Sequence, residues 1–146
     1  MSDEKRERLL GLDLGTKTIG VAASDELGWA HPVTTVRRKS LAHDLEQLRQ
    51  LCREREIERI VLGLPYNMDG TEGPRAKASR AFATTLEREL GLPVALWDER
   101  LTTFEAELAL RDAQVSAKRR REVIDQAAAQ VILRSYLDAT PLARER

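Results

Sequence analysis

An acid at the centre of an apolar strand constrains this chain more than any other feature. Leu9 to Asp25 reads LLGLDLGTKTIGVAASD. An apolar strand runs into Asp13, turns at Gly15 and returns as a second apolar strand over Thr18 to Ser24. Asp is a poor strand former, and a buried charge without a partner costs on the order of several kcal/mol. Something must hold Asp13 there, and a metal ion is the first candidate. A turn-capping Asp ahead of Gly15 is the plainer reading of the same residues.

The rest of the chain reads as alternating elements. Leu9 to Leu14 places Leu10 and Leu12 on one face and Leu9, Gly11 and Asp13 on the other. A third strand spans Ala30 to Arg37, with Pro32 near its start, and the three strands form an antiparallel meander. Ser40 suits an N-cap, followed by Leu41, Leu45, Leu48, Leu51 and Cys52 at helical spacing. Ile60 to Leu64 is a short, wholly apolar strand of the kind buried on both faces. A turn-rich loop, Pro65 to Gly73, leads to a helix starting at Pro74 and stopping near Gly91. Pro93 to Trp97 is a further strand. Thr102 or Thr103 caps a helix through about Ala113, with Glu105 and Glu107 near its start, and a final helix runs from Ser116 or Lys118 to Asp138. This order predicts an α/β domain, a mixed sheet with helices on both faces. The 146 residues suffice for a single domain, with residues 1–7 and 141–146 as frayed ends.

Two more acids accompany Asp13. Asp98 and Glu99 follow a strand, where ligands gather in open α/β sheets, and the residues alone do not choose between them. Asp125 lies on the apolar stripe of the last helix. At 100° per residue, Ala128, Ala129, Ile132 and Tyr136 all fall within about 60° of it, and Gln130, Arg134 and Asp138 occupy the opposite face. Like charges about 4 Å apart repel by roughly 4 kcal/mol at an effective dielectric of 20. A hard divalent cation with oxygen ligands, Mg²⁺ or Mn²⁺, removes that penalty, and two such ions can serve phosphodiester cleavage. His31 and His43 lack metal-ligand spacing, which disfavours zinc.

Groups suited to phosphate surround these acids: Thr16, Lys17 and Thr18 in the first turn, Arg100 beside Glu99, and the run Lys118-Arg119-Arg120-Arg121 ahead of Asp125. Tyr66 or Asn67 in the long loop could meet a sugar or base. The formal net charge is zero, so any nucleic-acid surface must come from local clusters. The single Cys52 excludes an intramolecular disulfide, no stretch has the length of a membrane span, and the charged first ten residues are not a secretory signal. A cytoplasmic location is the expectation.

LDLGTKTIGVA, IVLGLPYNMDGTEG, WDERLTTFEA and IDQAAAQVILRSYL, in this order, closely resemble the motifs of the YqgF family of RNase H-like nucleases. These bacterial proteins are known as Holliday junction resolvases and as nucleases that process the 5′ end of precursor 16S rRNA. The resemblance covers Leu9 to about Leu137. It implies an RNase H-like fold: a five-stranded mixed sheet, its first three strands antiparallel, with flanking helices. It also implies Asp13, Glu99 and Asp125 as catalytic metal ligands, favouring Glu99 over Asp98. The wider resolvase relatives usually take their second acid from the end of the fourth strand, which here ends Leu62-Gly63-Leu64-Pro65 without one. Glu99 must then reach the site from the next strand. The implied partner is structured precursor rRNA, with ribosomal particles as a further partner, or branched DNA, for which paired cuts favour a homodimer.

Two other classes compete. The DLGT-K-T turn also resembles the phosphate loop of actin-like and sugar kinases, but those close two lobes over ATP and 146 residues make one. A noncatalytic RNA- or ribosome-binding module is the other, and the intact acid triplet argues against it.

Overall fold

In β1 (Leu9–Leu14) and β2 (Thr18–Ser24) the alternation of side chains decides everything that follows, because it sends large residues to one face of the sheet and, Leu9 aside, small or acidic ones to the other. The computed structural model describes residues 6–101 and 117–139. β1 pairs with β2 antiparallel, with Asp13 opposite Gly20. β3 (Ala30–Arg37) extends the meander, and a register shift at Val21/Ala22 brings Ala22 opposite Pro32. An edge strand tolerates this Pro, since its missing N–H interrupts no inner ladder.

β4 (Arg59–Leu64) joins β1 on its other side in parallel, and β5 (Val94–Asp98) lies parallel outside β4. The five-stranded sheet has the order β3-β2-β1-β4-β5, as the resemblance implies. α1 (Leu41–Glu54) begins where Ser40 accepts the His43 N–H, and α2 (Pro74–Leu90) ends on left-handed Gly91. β4 starts one residue earlier than the apolar run indicates. β5 is shifted by one, because the Pro93 carbonyl accepts from Ile60 N–H just outside the strand, and Asp98 pairs opposite Leu64. Glu7, read from sequence as part of a frayed end, pairs with Arg59 at 3.1 Å. The predicted helix over 102–113 and most of both predicted tails lie outside the described residues.

Two cores result. Leu10, Leu12, Ile19, Val21, Ile60 and Leu62 pack beneath α1 and α2, against residues such as Leu45, Leu48, Phe82 and Leu86. On the other face α3 (Ala117–Ala139) buries Ala129, Ile132, Leu133 and Leu137 against Leu9, Ala22 and Val61. Gln130 is a correction: it is half-buried, and its amide donates to the Ala30 carbonyl at 3.0 Å. β3 widens the sheet beneath α3 enough to take in this flank of the helix. Arg134 and Asp138 are exposed, as the helical wheel requires.

Candidate active site

α3 reaches the sheet where the strands have no side chains. A Cβ on Gly20 would overlap the Asp125 backbone carbonyl, and one on Gly11 would sit 2.9 Å from the Leu133 Cβ. Such gaps forfeit burial but let a helix backbone lie directly on strands. Asp125 is thereby set beside Gly20, the partner of Asp13 across the β1–β2 ladder. The Thr18 hydroxyl, at the start of β2, donates to Asp125 Oδ2 at 2.6 Å and fixes its carboxylate.

Glu99 arrives from the opposite side. It opens a short 3-10 turn directly after β5. A Cβ on Gly63 would lie 2.7 Å from its Oε2, which is buried. The end of β4, which supplies no acid of its own, is thus the floor on which Glu99 lies. Asp98 has a different fate. It accepts from the Arg100 backbone N–H at 2.9 Å and from the Arg100 guanidinium at 2.8 Å.

The electrostatics follow from this crowding. Burial first, then repulsion from Asp125, raises the Asp13 carboxyl to a pKa of about 6, against the opposing pull of Arg75. Burial, then the charge on Asp13, raises Glu99 to about 7; Arg75 opposes this shift too, and Asp98 adds to it. Asp13 is therefore the middle member of the three: Asp125 acts on it, and it acts on Glu99. Among the described residues, no three His, Cys, Asp or Glu side chains converge tightly enough in this arrangement to hold a metal ion by themselves. The donor set nevertheless suits a hard divalent cation: all carboxylate oxygen, partly buried, and short of positive charge.

Of the other predicted residues, Thr16 and Lys17 stand exposed at the β1–β2 turn, beside Thr18. Arg100 is engaged by Asp98 and lies 5.1 Å from the centre of the Tyr66 ring. Tyr66 in turn accepts from Arg80. Asn67 closes its own loop, donating to Thr71 Oγ1 at 2.9 Å. Lys118 to Arg121 fall in the first turns of α3, and their side chains lie outside the described residues. His31 and His43 pair with Asp25 and Asp44, away from the three acids.

One residue escaped the sequence reading. Arg75, second in α2, donates to the Leu14 carbonyl at 3.4 Å, immediately after Asp13. Nothing in the sequence GPRAKAS marks it out, because its position depends on α2 starting beside the end of β1.

Residues 7–139 match the family described as RuvX, Holliday junction resolvase. The chain is 62% identical over 133 residues to the "Putative pre-16S rRNA nuclease" of Myxococcus xanthus, covering 90% of this chain and 88% of that protein. It is 57% identical to the protein of the same name from Moorella thermoacetica, covering 90% and 94%. Among solved structures, RuvC of T. thermophilus in complex with a Holliday junction substrate aligns with a TM-score of 0.59 at 13% identity, covering 92% of this chain and 95% of that one. The yeast mitochondrial Holliday junction resolvase Ydc2 aligns with a TM-score of 0.52 at 13% identity, covering 95% and 81%. At such identities these two speak for the fold alone, and the fold is RNase H-like. With the motifs in order, the same sheet and a family match over nearly its whole length, the chain belongs to the RuvX (YqgF) family.

Proposed function

We propose that this protein is a divalent-metal-dependent nuclease that hydrolyses phosphodiester bonds, with precursor 16S rRNA as its substrate in ribosome biogenesis. The observation that carries this reading is the crowding of Asp13, Glu99 and Asp125 at one end of the sheet, with two of them held well above the usual carboxylate range. Evolved cores do not collect mutually repelling acids for stability, so the cost points to function. The names of the relatives supply the substrate class.

Asp13, Glu99 and Asp125 would hold Mg²⁺ or Mn²⁺, and two ions fit a set of three carboxylates. Such ions supply an activated water and charge neutralisation at phosphorus. Thr18 keeps Asp125 turned towards Asp13. The buried floor of the site excludes water and strengthens every charge interaction within it. Lys17, Arg100 and the Lys118 to Arg121 run would engage the nucleic-acid backbone, making binding salt-sensitive. Thr16 and Asn67 complete the proposed contact surface. The location is cytoplasmic, and among the described residues no helix is long and apolar enough to cross a membrane.

A second reading, resolution of four-way DNA junctions by a homodimer, has the family description in its favour. One experiment addresses both: cleavage of a 5′-extended 16S rRNA precursor and of a four-way junction, side by side, with Mg²⁺, Mn²⁺ or chelator. The expected result is metal-dependent cleavage of the RNA, abolished by Asp13→Asn and by Asp125→Asn while both variants still fold and bind. Cut junctions and intact RNA would favour the second reading. Unchanged turnover in both variants would defeat the mechanism, and binding without cleavage of either substrate would make this a noncatalytic module.

A further inference from the structure

Arginines near this site fall into two groups. Arg38, Arg80 and Arg100 are each tied to a carboxylate, at 3.4 Å to Asp44, 2.8 Å to Glu72 and 2.8 Å to Asp98. Arg75 is not. Its hydrogen-bond partner among the described residues is a backbone oxygen, Leu14 O, at the long distance of 3.4 Å. Its side chain is exposed, yet its charge acts on Asp13 and on Glu99 at once. A guanidinium held by one long bond to the backbone, whose charge bears on two acids without an ion pair to either, can leave at little cost. It is also the group best shaped to grip a phosphate through two parallel hydrogen bonds.

We propose that Arg75 is an exchangeable counter-charge: it offsets the carboxylates while no substrate is present, and moves onto a non-bridging oxygen of the phosphodiester when the nucleic acid docks. The inference rests on the nuclease reading above. Physically, the three carboxylates outnumber the one guanidinium, so the site stays an attractor of cations even with Arg75 in place. Arg75 therefore competes with divalent cations in the free protein and assists the phosphate in the complex. Removal of Arg75 must change the two affinities in opposite directions. A merely structural residue, once lost, would weaken both.

The test is a Mn²⁺ titration of the full chain without nucleic acid, read by the electron paramagnetic resonance of free Mn²⁺, paired with steady-state cleavage of the precursor RNA. Arg75→Ala is expected to bind Mn²⁺ about tenfold more tightly, while the KM for RNA rises and kcat/KM falls. Arg75→Lys keeps the charge, so its Mn²⁺ affinity should stay near that of the unaltered protein, while its RNA affinity, lacking the planar fork, is only partly restored. Circular dichroism should be unchanged in both, since the side chain is exposed. Unchanged or weaker Mn²⁺ binding in Arg75→Ala, in a preparation whose unaltered protein cleaves RNA, overturns this inference alone. An unaltered protein that neither takes up Mn²⁺ nor cleaves overturns the nuclease reading, and this one with it.

Discussion

Beneath α1 and α2 the sheet presents Leu10, Leu12, Ile19, Val21, Ile60 and Leu62; beneath α3 it presents Gly11, Gly20 and Gly63 around Asp13. The buried acids differ in the same way. Asp44, on α1, is almost wholly enclosed, and burial would raise its pKa. The Lys39 N–H, His43 and Arg38 outweigh that, and its carboxyl is held below the ordinary value. Arg38 also donates to the Gly15 carbonyl at 2.8 Å, so Asp44 helps to anchor the first turn. Asp13 and Glu99 are raised instead. A structural acid comes with its donors. On the proposed function, the raised acids are the ones that a cation from solution would neutralise, and the protein tolerates their cost for that reason. Burial alone does not separate the two; the balance of donors against repulsion does.

Substitutions that reverse the character of each face should break this contrast. The largest effect belongs to Gly20→Val. Its side chain meets the Asp125 backbone, which cannot yield without lifting α3 from the sheet. Cleavage should vanish and stability fall by about 3 kcal/mol or more, measured by turnover and urea unfolding. On the opposite face Leu48→Ala should cost about 3 kcal/mol through the cavity it leaves, yet leave kcat/KM per folded molecule unchanged. Equal activity losses from the two would show that the faces are not functionally distinct.

Gly63→Ala puts a smaller group on the same face of the sheet as Gly20. The new methyl meets the ends of two side chains, Glu99 and Ile132, and these can move. Stability should therefore drop by only about 1 kcal/mol, while cleavage falls about tenfold because Glu99 loses its seat. Retained activity would mean that Glu99 is not required where it lies.

The faces also differ in legibility. Strand alternation, the Ser40 cap, the Pro74 start and the Gly91 stop are local signals, and the chain obeys them within a residue. The placement of Asp125 on the sheet side of α3 follows from the helical period alone. Gly20 and Gly63, by contrast, read in sequence only as weak spots in strands; their meaning needs the helix and the Glu99 side chain that cross them. From the residues alone Asp98 and Glu99 are indistinguishable; the family resemblance favours Glu99, and the physical reason is visible only where Arg100 folds back on Asp98. Arg75 was unreadable because it meets Asp13 through the direction of α2, a property of the fold rather than of any window of residues. The backbone helix over Lys118 to Arg121 is as the charge run and the helical pattern suggest, whereas which phosphates those side chains would meet depends on a substrate.

Proton linkage gives a smaller signature of the same contrast. Because the folded chain raises Asp13 from 3.8 to about 6 and Glu99 from 4.5 to about 7, it binds these protons more tightly than the unfolded chain does. Their contribution to stability is full at pH values below the unfolded pKa and is lost as pH rises through 6 and 7. In chelator, Tm should therefore fall by several degrees between pH 5 and pH 8, and Mg²⁺ at pH 8 should restore part of the loss. The double variant Asp13→Asn, Glu99→Gln should flatten the profile. A Tm that rises over this interval would contradict the assigned electrostatics. Asp44 runs the other way, its stabilisation being lost only at acid pH, so the two kinds of acid can be separated in one titration.

Thr18→Val should produce the smallest change and is the most discriminating, because it removes one oxygen and little else. The hydroxyl donates to Asp125 Oδ2 at 2.6 Å, and the backbone bond from Gly15 N–H to the Thr18 carbonyl at 2.8 Å is untouched. Valine keeps the β-branched shape that suits the start of a strand. Folding stability should fall by about 1 kcal/mol or less. Activity should fall severalfold, with the loss in kcat rather than in KM, because the substrate surface is unaltered and only the aim of one carboxylate is relaxed. If kcat is unchanged while KM rises, Thr18 acts with Thr16 and Lys17 in the substrate contact proposed for that turn, and the ordering of Asp125 must come from the backbone contact with Gly20 alone.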